Sequence, residues 1–412
     1  KDFMKILFVH QNFPGQFLHL APALKERGHT VQVLTHKGNA FDSGLPTLRY
    51  THDVAKPKPE ETRLGRTFTQ MSDRGVDVAR GARTMRDKYK YNPDVIFGHS
   101  GWGETLFLKE IWPEAKLLVY AEFYYRGVGR DVGFDPEFKV DRFTQLLSAQ
   151  SRGAYLAQSL LHADAGLAPT KWQASTHPPL LQSMIEVIHD GVKTDIVKPN
   201  PKAKITLGNG KVLKAGDEVL TFVNRNLEPY RGYHSFMRAL PDVMVARPNA
   251  EVVIVGGDEV SYGDPAPKGQ KWKDVYLDEV KDRLDMSRVH FVGKIAYPHF
   301  VELMQVSRAH VYLTYPFVLS WSMLEAMSAE ALVIGSRTPP VEELITHGKN
   351  GLLVDFFDIK GWSDTIIKAL AKPEDYMPLR RAAREDIIKN YDLQSVCLPR
   401  MLDFVERHGP KD

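Results

Sequence analysis

Short, nearly continuous apolar runs alternate with amphipathic stretches along almost the whole chain. In the first half the runs fall at Lys5–Val9, 31–34, 95–97, Lys116–Tyr120, Ala165–Ala168 and 185–188. Helical patterns separate most of them. One, over 17–27, stops at Gly28, where glycine suits the left-handed position that ends a helix. In the second half the plan repeats, with runs at 218–223, 251–255, 289–292, 309–313, 331–334 and 351–354. Strands that are apolar on both faces and alternate with helices predict parallel sheets covered on both sides. The expected fold class is therefore α/β, two Rossmann-like units in tandem. Their joint is expected at 190–201, where Gly191, Pro199 and Pro201 interrupt the pattern. A hairpin is expected at 205–215 around Gly208, Asn209 and Gly210, and 392–408 reads as a closing helix.

Length and composition narrow the class. The 412 residues suit two domains, and 43% hydrophobic with 25% charged residues is the balance of an ordinary globular chain. A formal net charge of +3, with no long basic block interleaved with aromatics, gives no reason to expect a nucleic-acid partner. The densest basic stretch is 63–90, with Arg63, Arg66, Arg74, Arg80, Arg83, Arg86, Lys88 and Lys90. Its apolar residues recur at three- and four-residue steps, so it reads as an amphipathic helix. That helix either carries a solvated basic face or rests on anionic lipid headgroups. No apolar run approaches the roughly 18–20 residues that span a bilayer. The amino end lacks a signal-peptide pattern, and the single Cys397 excludes an intramolecular disulfide, so a cytoplasmic location is expected.

In open parallel sheets ligands gather at the carboxyl ends of the strands, so polar residues there are the candidates for chemistry. After the first strand, Gly15 opens a turn into a helix, where backbone approaches an anion or simply turns tightly. The Gly-x-Gly-x-x-Gly fingerprint is missing there and after 251–255, which counts against a nicotinamide dehydrogenase. No P-loop pattern occurs either. Arg225 and Arg231 flank the turn after 218–223, placed to clamp a diphosphate and to offset charge on a leaving group. His99 ends the strand at 95–97. Glu122 follows Lys116–Tyr120, with Phe123, Tyr124 and Tyr125 as an apolar wall. The segment 315–325 couples a strand, a turn and a helix bearing Glu325, an arrangement suited to a ligand with paired hydroxyls such as a ribose. No His-rich cluster has metal-ligand spacing, so no metal site is expected.

Several of these segments together resemble glycosyltransferase family 4 (glycosyl transferases group 1), and the likeness runs from Met4 to the final helix. Residues 187–195, Val-Ile-His-Asp-Gly-Val-Lys-Thr-Asp, are similar to its strand-plus-Asn-Gly-Val-Asp junction, with Asp190 for the asparagine and Lys193 for the aspartate. Glu325-Ala326-Met327 matches the second Glu of its Glu-x7-Glu motif, which binds the ribose. Val341-Glu342-Glu343, Gly348 and 350–354 match its next segment. Arg225 matches the family's phosphate-gripping arginine, and Arg231 takes the place of its lysine one residue later than usual.

The resemblance implies a GT-B fold: a first domain over 1–192, a donor domain over 193–388, and a helix over 389–412 that crosses back to the first, with the two sheets facing across a cleft. It implies a retaining, metal-independent enzyme that needs no cofactor. Such an enzyme moves a sugar from a UDP- or GDP-sugar to a hydroxyl acceptor, in polysaccharide or glycolipid assembly, with peripheral contact to the inner membrane surface. Lys294 and Ile295 lie where relatives meet the nucleotide base through backbone groups. Two positions depart from the family. Phe317 stands where the first Glu of the motif belongs, so sugar contacts are expected instead from the amides of Val318, Leu319 and Ser320 or from the Ser320 hydroxyl. Glu330 stands where glycine is usual. The Phe317 departure keeps a non-catalytic sugar-nucleotide binder open. Another GT-B enzyme, such as an epimerase or a phosphorylase, also remains a possible reading.

Overall fold

The computed structural model describes residues 3–410, apart from 57, 58, 60 and 61. The chain divides into two compact units. One runs up to Asp190 and takes back the segment from Gln394, and the other is Gly191–Leu393.

The first unit is built on β1 (Lys5–Val9), β2 (Thr30–His36), β3 (Thr47–Tyr50), β4 (Val95–His99), β5 (Lys116–Tyr120), β6 (Ala165–Ala168) and β7 (Ile185–Val187). They form one parallel sheet in the order β3-β2-β1-β4-β5-β6-β7. The central strands are buried almost end to end, as expected for a sheet covered on both faces. β3 has no counterpart in the apolar pattern. It is a short edge strand, Thr-Leu-Arg-Tyr, in which only Tyr50 is buried, so few of its positions need to be apolar.

The helix expected over 17–27 is split into a 3-10 turn, Gly15–Phe17, and a helix, Leu20–Glu26. Pro22 lies in the first turn of that helix, where a missing amide costs no bond. The long basic helix spans Arg66–Asp87 and buries Val78, Ala82 and Met85. At the carboxyl end a π-helical turn, Leu393–Cys397, precedes the helix Leu398–Arg407. That helix docks on the first unit through Arg27–Glu406 at 2.6 Å, His29–Glu406 at 3.1 Å and Arg400 donating to the Val187 carbonyl at 2.8 Å.

The second unit begins with the antiparallel hairpin of β8 (Lys204–Thr206) and β9 (Val212–Lys214). Its parallel sheet comprises β10 (Val219–Asn226), β11 (Glu251–Gly257), β12 (Val289–Gly293), β13 (Ala309–Tyr312), β14 (Leu332–Ser336) and β15 (Leu352–Val354). The order is β12-β11-β10-β13-β14-β15. Rossmann-like topology in both units makes the fold GT-B. β10 runs three residues past the expected apolar stretch because its ladder to β11 slips between Val223 and Asn226. Glu330 adopts φ 60° between the helix Trp321–Ser328 and β14. That left-handed backbone is the physical reason glycine suits the position. The strain is held in place by Arg380, whose Nε donates to the Glu330 carbonyl.

Candidate functional site

At the carboxyl edge of the second sheet, the turn after β10 is fixed by two buried charges. Glu228 accepts hydrogen bonds from the amides of Ser261, Tyr262 and Gly263 at 3.1–3.3 Å. It thereby pins the loop after β11 against the turn after β10. Burial pushes its carboxyl above the usual range, opposed by those amides. Gly232, at φ 70°, lets the chain pass Leu313, whose Cβ would lie 2.3 Å from any Cβ placed there.

Arg231 sits inside this turn, 3% exposed. One terminal nitrogen, Nη1, donates to the Thr314 hydroxyl and the Val318 carbonyl, each at 2.7 Å, and approaches the Tyr312 hydroxyl at 3.2 Å. Its guanidinium lies over Tyr262 at 4.9 Å and Phe317 at 5.7 Å. The sequence marks it as a candidate diphosphate clamp, and in the structure its Nη1 braces the 314–318 turn as a strut. Arg225 is exposed, as is Lys294, whose Cε lies 2.7 Å from where a Gly257 side chain would begin. Arg225 and Lys294 are thus exposed cations of this edge, beside the glycine backbone of 256–257.

The segment 317–320, from which sugar contacts are expected, is braced from within the second unit. Phe317 is 6% exposed and packs with Tyr230 at 5.1 Å and Tyr262 at 5.2 Å. Leu319 belongs to the apolar core, and Ile295 packs against it. The Ser320 amide donates to the Tyr312 hydroxyl at 2.9 Å, and the Val318 carbonyl is taken by Arg231. Tyr312 thus holds the Ser320 end of this segment directly and approaches Arg231, which holds Val318.

Glu325 lies half-buried on the helix after β13 and accepts from the Tyr297 hydroxyl at 2.7 Å. Burial pushes its carboxyl up to about 7, against the lowering effect of that hydrogen bond. Sequence reasoning missed Tyr297, which lies 28 residues away on the helix Tyr297–Val306.

At the carboxyl edge of the first sheet, His99 and Glu122 do come together: His99 Nε2 is 3.4 Å from Glu122 Oε2. Two further residues join them. His10, the residue after β1, bonds Gln16 Oε1 through Nε2 at 3.0 Å, and Gln16 Nε2 donates to Glu122 Oε1 at 3.3 Å. Burial, reinforced by His99, drives the His10 imidazole down to about 3, so it is neutral. Gly15 lies at the turn after β1, at φ 48°, and packs closely on the His10 ring. A Cβ would lie 2.6 Å from His10 Nε2, so only glycine lets the loop cross that ring. Trp102 stacks on His99 at 4.4 Å and meets His10 edge-on at 5.0 Å. His10 and Gln16 bore one signal in the sequence: both flank the first strand's carboxyl end, where His99 had been singled out on the fourth.

Two family models match the chain: glycosyl transferase family 4 group over residues 27–197, and glycosyl transferases group 1 over 208–386. A D-inositol 3-phosphate glycosyltransferase of Mycolicibacterium smegmatis is 26% identical over 207 residues, 50% of this chain and 43% of that protein. The chain spans about half the length of the curated relatives it matches, 42–58% for three of them. Among solved structures, sucrose-phosphate synthase of Thermosynechococcus elongatus superposes with a TM-score of 0.70 at 16% identity, covering 98% of this chain and 99% of that one. Anabaena HepE in complex with UDP-glucose gives 0.66 at 15% identity, covering 98% of this chain and 100% of that one.

Proposed function

The chain belongs to the group 1 glycosyltransferases, and from that premise we propose that it moves a sugar from a nucleotide diphosphate to a hydroxyl acceptor with retention at the anomeric carbon. The observation that carries this reading is Glu325. It is a half-buried carboxylate beyond the carboxyl end of β13, held by the Tyr297 hydroxyl, and on this reading it accepts hydrogen bonds from ribose hydroxyls.

In the proposed reaction the bond from the anomeric carbon to the phosphate oxygen breaks, and its electron pair leaves with the diphosphate. The acceptor oxygen bonds to the same face of that carbon, and its proton passes to the departing phosphate oxygen. No side-chain base is then required, and no metal is assigned a step. Arg225, with Lys294, meets the developing phosphate charge, and Arg231 contributes a fixed positive charge from behind the turn. Glu122, on the first unit with His99 beside it, is assigned to a hydroxyl of the sugar or the acceptor. A UDP-sugar is the first donor to try, since HepE was solved with UDP-glucose.

The acceptor is proposed to be a glycan or glycolipid. Contact with an anionic membrane surface would use the helix Arg66–Asp87. Part of its basic face is already committed, with Arg80 on Asp77 and Arg86 on Asp87 and the Ile111 carbonyl. No helix among the described residues is long and apolar enough to cross a membrane.

Calorimetry with UDP-, GDP- and ADP-sugars tests the proposal. One nucleotide sugar binds in the micromolar range and loses affinity in Glu325→Ala; unchanged affinity overturns the ribose assignment. A second reading is favoured by Phe317, which fills with a buried ring the place of a carboxylate. On that reading the chain binds a nucleotide sugar without turning it over. Donor binding with no transfer to any acceptor would select it.

A further inference from the structure

The two histidines at the carboxyl edge of the first sheet share one local geometry. Each follows or ends a central strand, and each ring accepts, at Nδ1, the amide of the residue two further on: Asn12 for His10 at 3.0 Å, Gly101 for His99 at 2.9 Å. An Nδ1 that accepts carries no proton. In the neutral ring the proton must then sit on Nε2, and both rings become Nε2–H donors. His10 delivers its donor to Gln16 Oε1, which turns the Gln16 amide so that its NH2 points at Glu122 Oε1. His99 aims its own Nε2 at the other oxygen, Glu122 Oε2, at 3.4 Å. That nitrogen is fully buried and has no well-formed hydrogen bond, so its proton has nowhere else to turn. Behind the carboxylate, the Gln173 amide donates to the Glu122 backbone carbonyl at 2.8 Å.

We infer that His10 and Gln16 are positioning residues for Glu122. Two neutral imidazoles of fixed tautomer, one acting through the Gln16 amide, direct N–H donors at its two oxygens and hold it as an ionised acceptor for one substrate hydroxyl. It follows that His99 is a donor and never a base, because its only lone pair in the ring plane is used by Gly101. The inference rests on the transferase reading for the identity of the hydroxyl, but the tautomers do not depend on it.

The first test uses the unaltered protein. In a 15N-histidine long-range correlation spectrum at pH 8, His10 and His99 show the neutral Nε2–H pattern. An Nδ1–H tautomer or an imidazolium at either residue overturns the network and leaves the transferase reading standing. The second test uses turnover. His99→Gln keeps an N–H where Nε2 was and holds turnover within about fivefold, whereas His99→Ala loses about a hundredfold, the usual scale for a positioned polar group. If Gln rescues no better than Ala, the donor role falls. Gln16→Leu lowers kcat about tenfold while donor KM moves less than about twofold, the split expected when an interaction acts only in the transition state. A rise in KM alone would make Gln16 a ground-state contact and refute positioning. If the wild-type protein transfers no sugar at all, the role given to Glu122 fails together with the transferase reading, even where the tautomers are as stated.

Discussion

The two carboxyl edges hold charge still in opposite ways. In the first unit the fixed groups are neutral rings and amides arranged around one carboxylate, and each identified donor traces back to a backbone amide. In the second unit the fixed group is a full cation, Arg231, sunk behind aromatic rings and tied to the turn it supports. A neutral network is cheap to bury and orients by hydrogen-bond direction. A buried cation is costly to desolvate and persists only where strong acceptors hold it. The exposed cations Arg225 and Lys294 remain available for a ligand. Exposed and supporting charges are therefore separate residues in the second unit, whereas in the first the carboxylate and its supports interlock.

The largest expected effect breaks this contrast. Arg231→Ala removes the strut and leaves Thr314 and the Val318 carbonyl without their donor. Removing one partner of a buried charged network costs about 3–5 kcal/mol. Denaturant unfolding should show that loss, and a stability change under about 1 kcal/mol would make Arg231 an ordinary loop residue. Arg225→Ala sharpens the contrast from the other side. Stability should stay within about 0.5 kcal/mol, because the residue is exposed. Turnover should fall roughly a hundredfold, the scale for losing a charge-stabilising donor. Near-normal turnover would leave Lys294 as the phosphate contact of this edge.

A third prediction concerns pH. Glu325 has its carboxyl raised to about 7, and ribose hydroxyls donate to the ionised form. Donor affinity should therefore rise between pH 6 and 8 and fall about tenfold for each unit below 7. Glu325→Gln should flatten that profile; a wild-type profile already flat over this range would show that the carboxylate does not hold the ribose. The linkage sign for folding is opposite. The folded state binds the proton more tightly than the unfolded chain, so this group's contribution to stability declines as pH rises from the ordinary carboxylate range to about 7.

The smallest effect tests the backbone. Glu330→Gly relieves the left-handed strain of roughly 1–2 kcal/mol but adds freedom to the unfolded chain worth roughly 0.4–1 kcal/mol. The melting temperature should rise slightly, since the Arg380 bond is to the backbone carbonyl and survives. A fall would mean that the Glu330 side chain contributes to stability.

Much of this was legible in the chain. Central strands such as β1 and β5 were visible because burial on both faces demands uninterrupted apolar residues. The short edge strand β3 was hidden because only Tyr50 in it is buried. Positions were also legible where backbone geometry restricts the residue: Gly15 and Gly232 were glycines inside segments already marked as turns. Assigning tasks within those segments was harder. Arg225 and Arg231 are six residues apart in one turn and look alike in sequence, yet one is exposed and the other buried among Tyr262, Thr314 and Phe317.

The sequence by itself determined the two α/β units, the strands whose carboxyl ends matter and the family, because periodicity and local motifs are properties of neighbouring residues. Only the tertiary structure decided which side chains are free to act. Tyr297 meets Glu325 across 28 residues, and Gln16 meets Glu122 across 106. A donor's availability depends on which acceptors folding brings within 3 Å of it, and no local pattern records that.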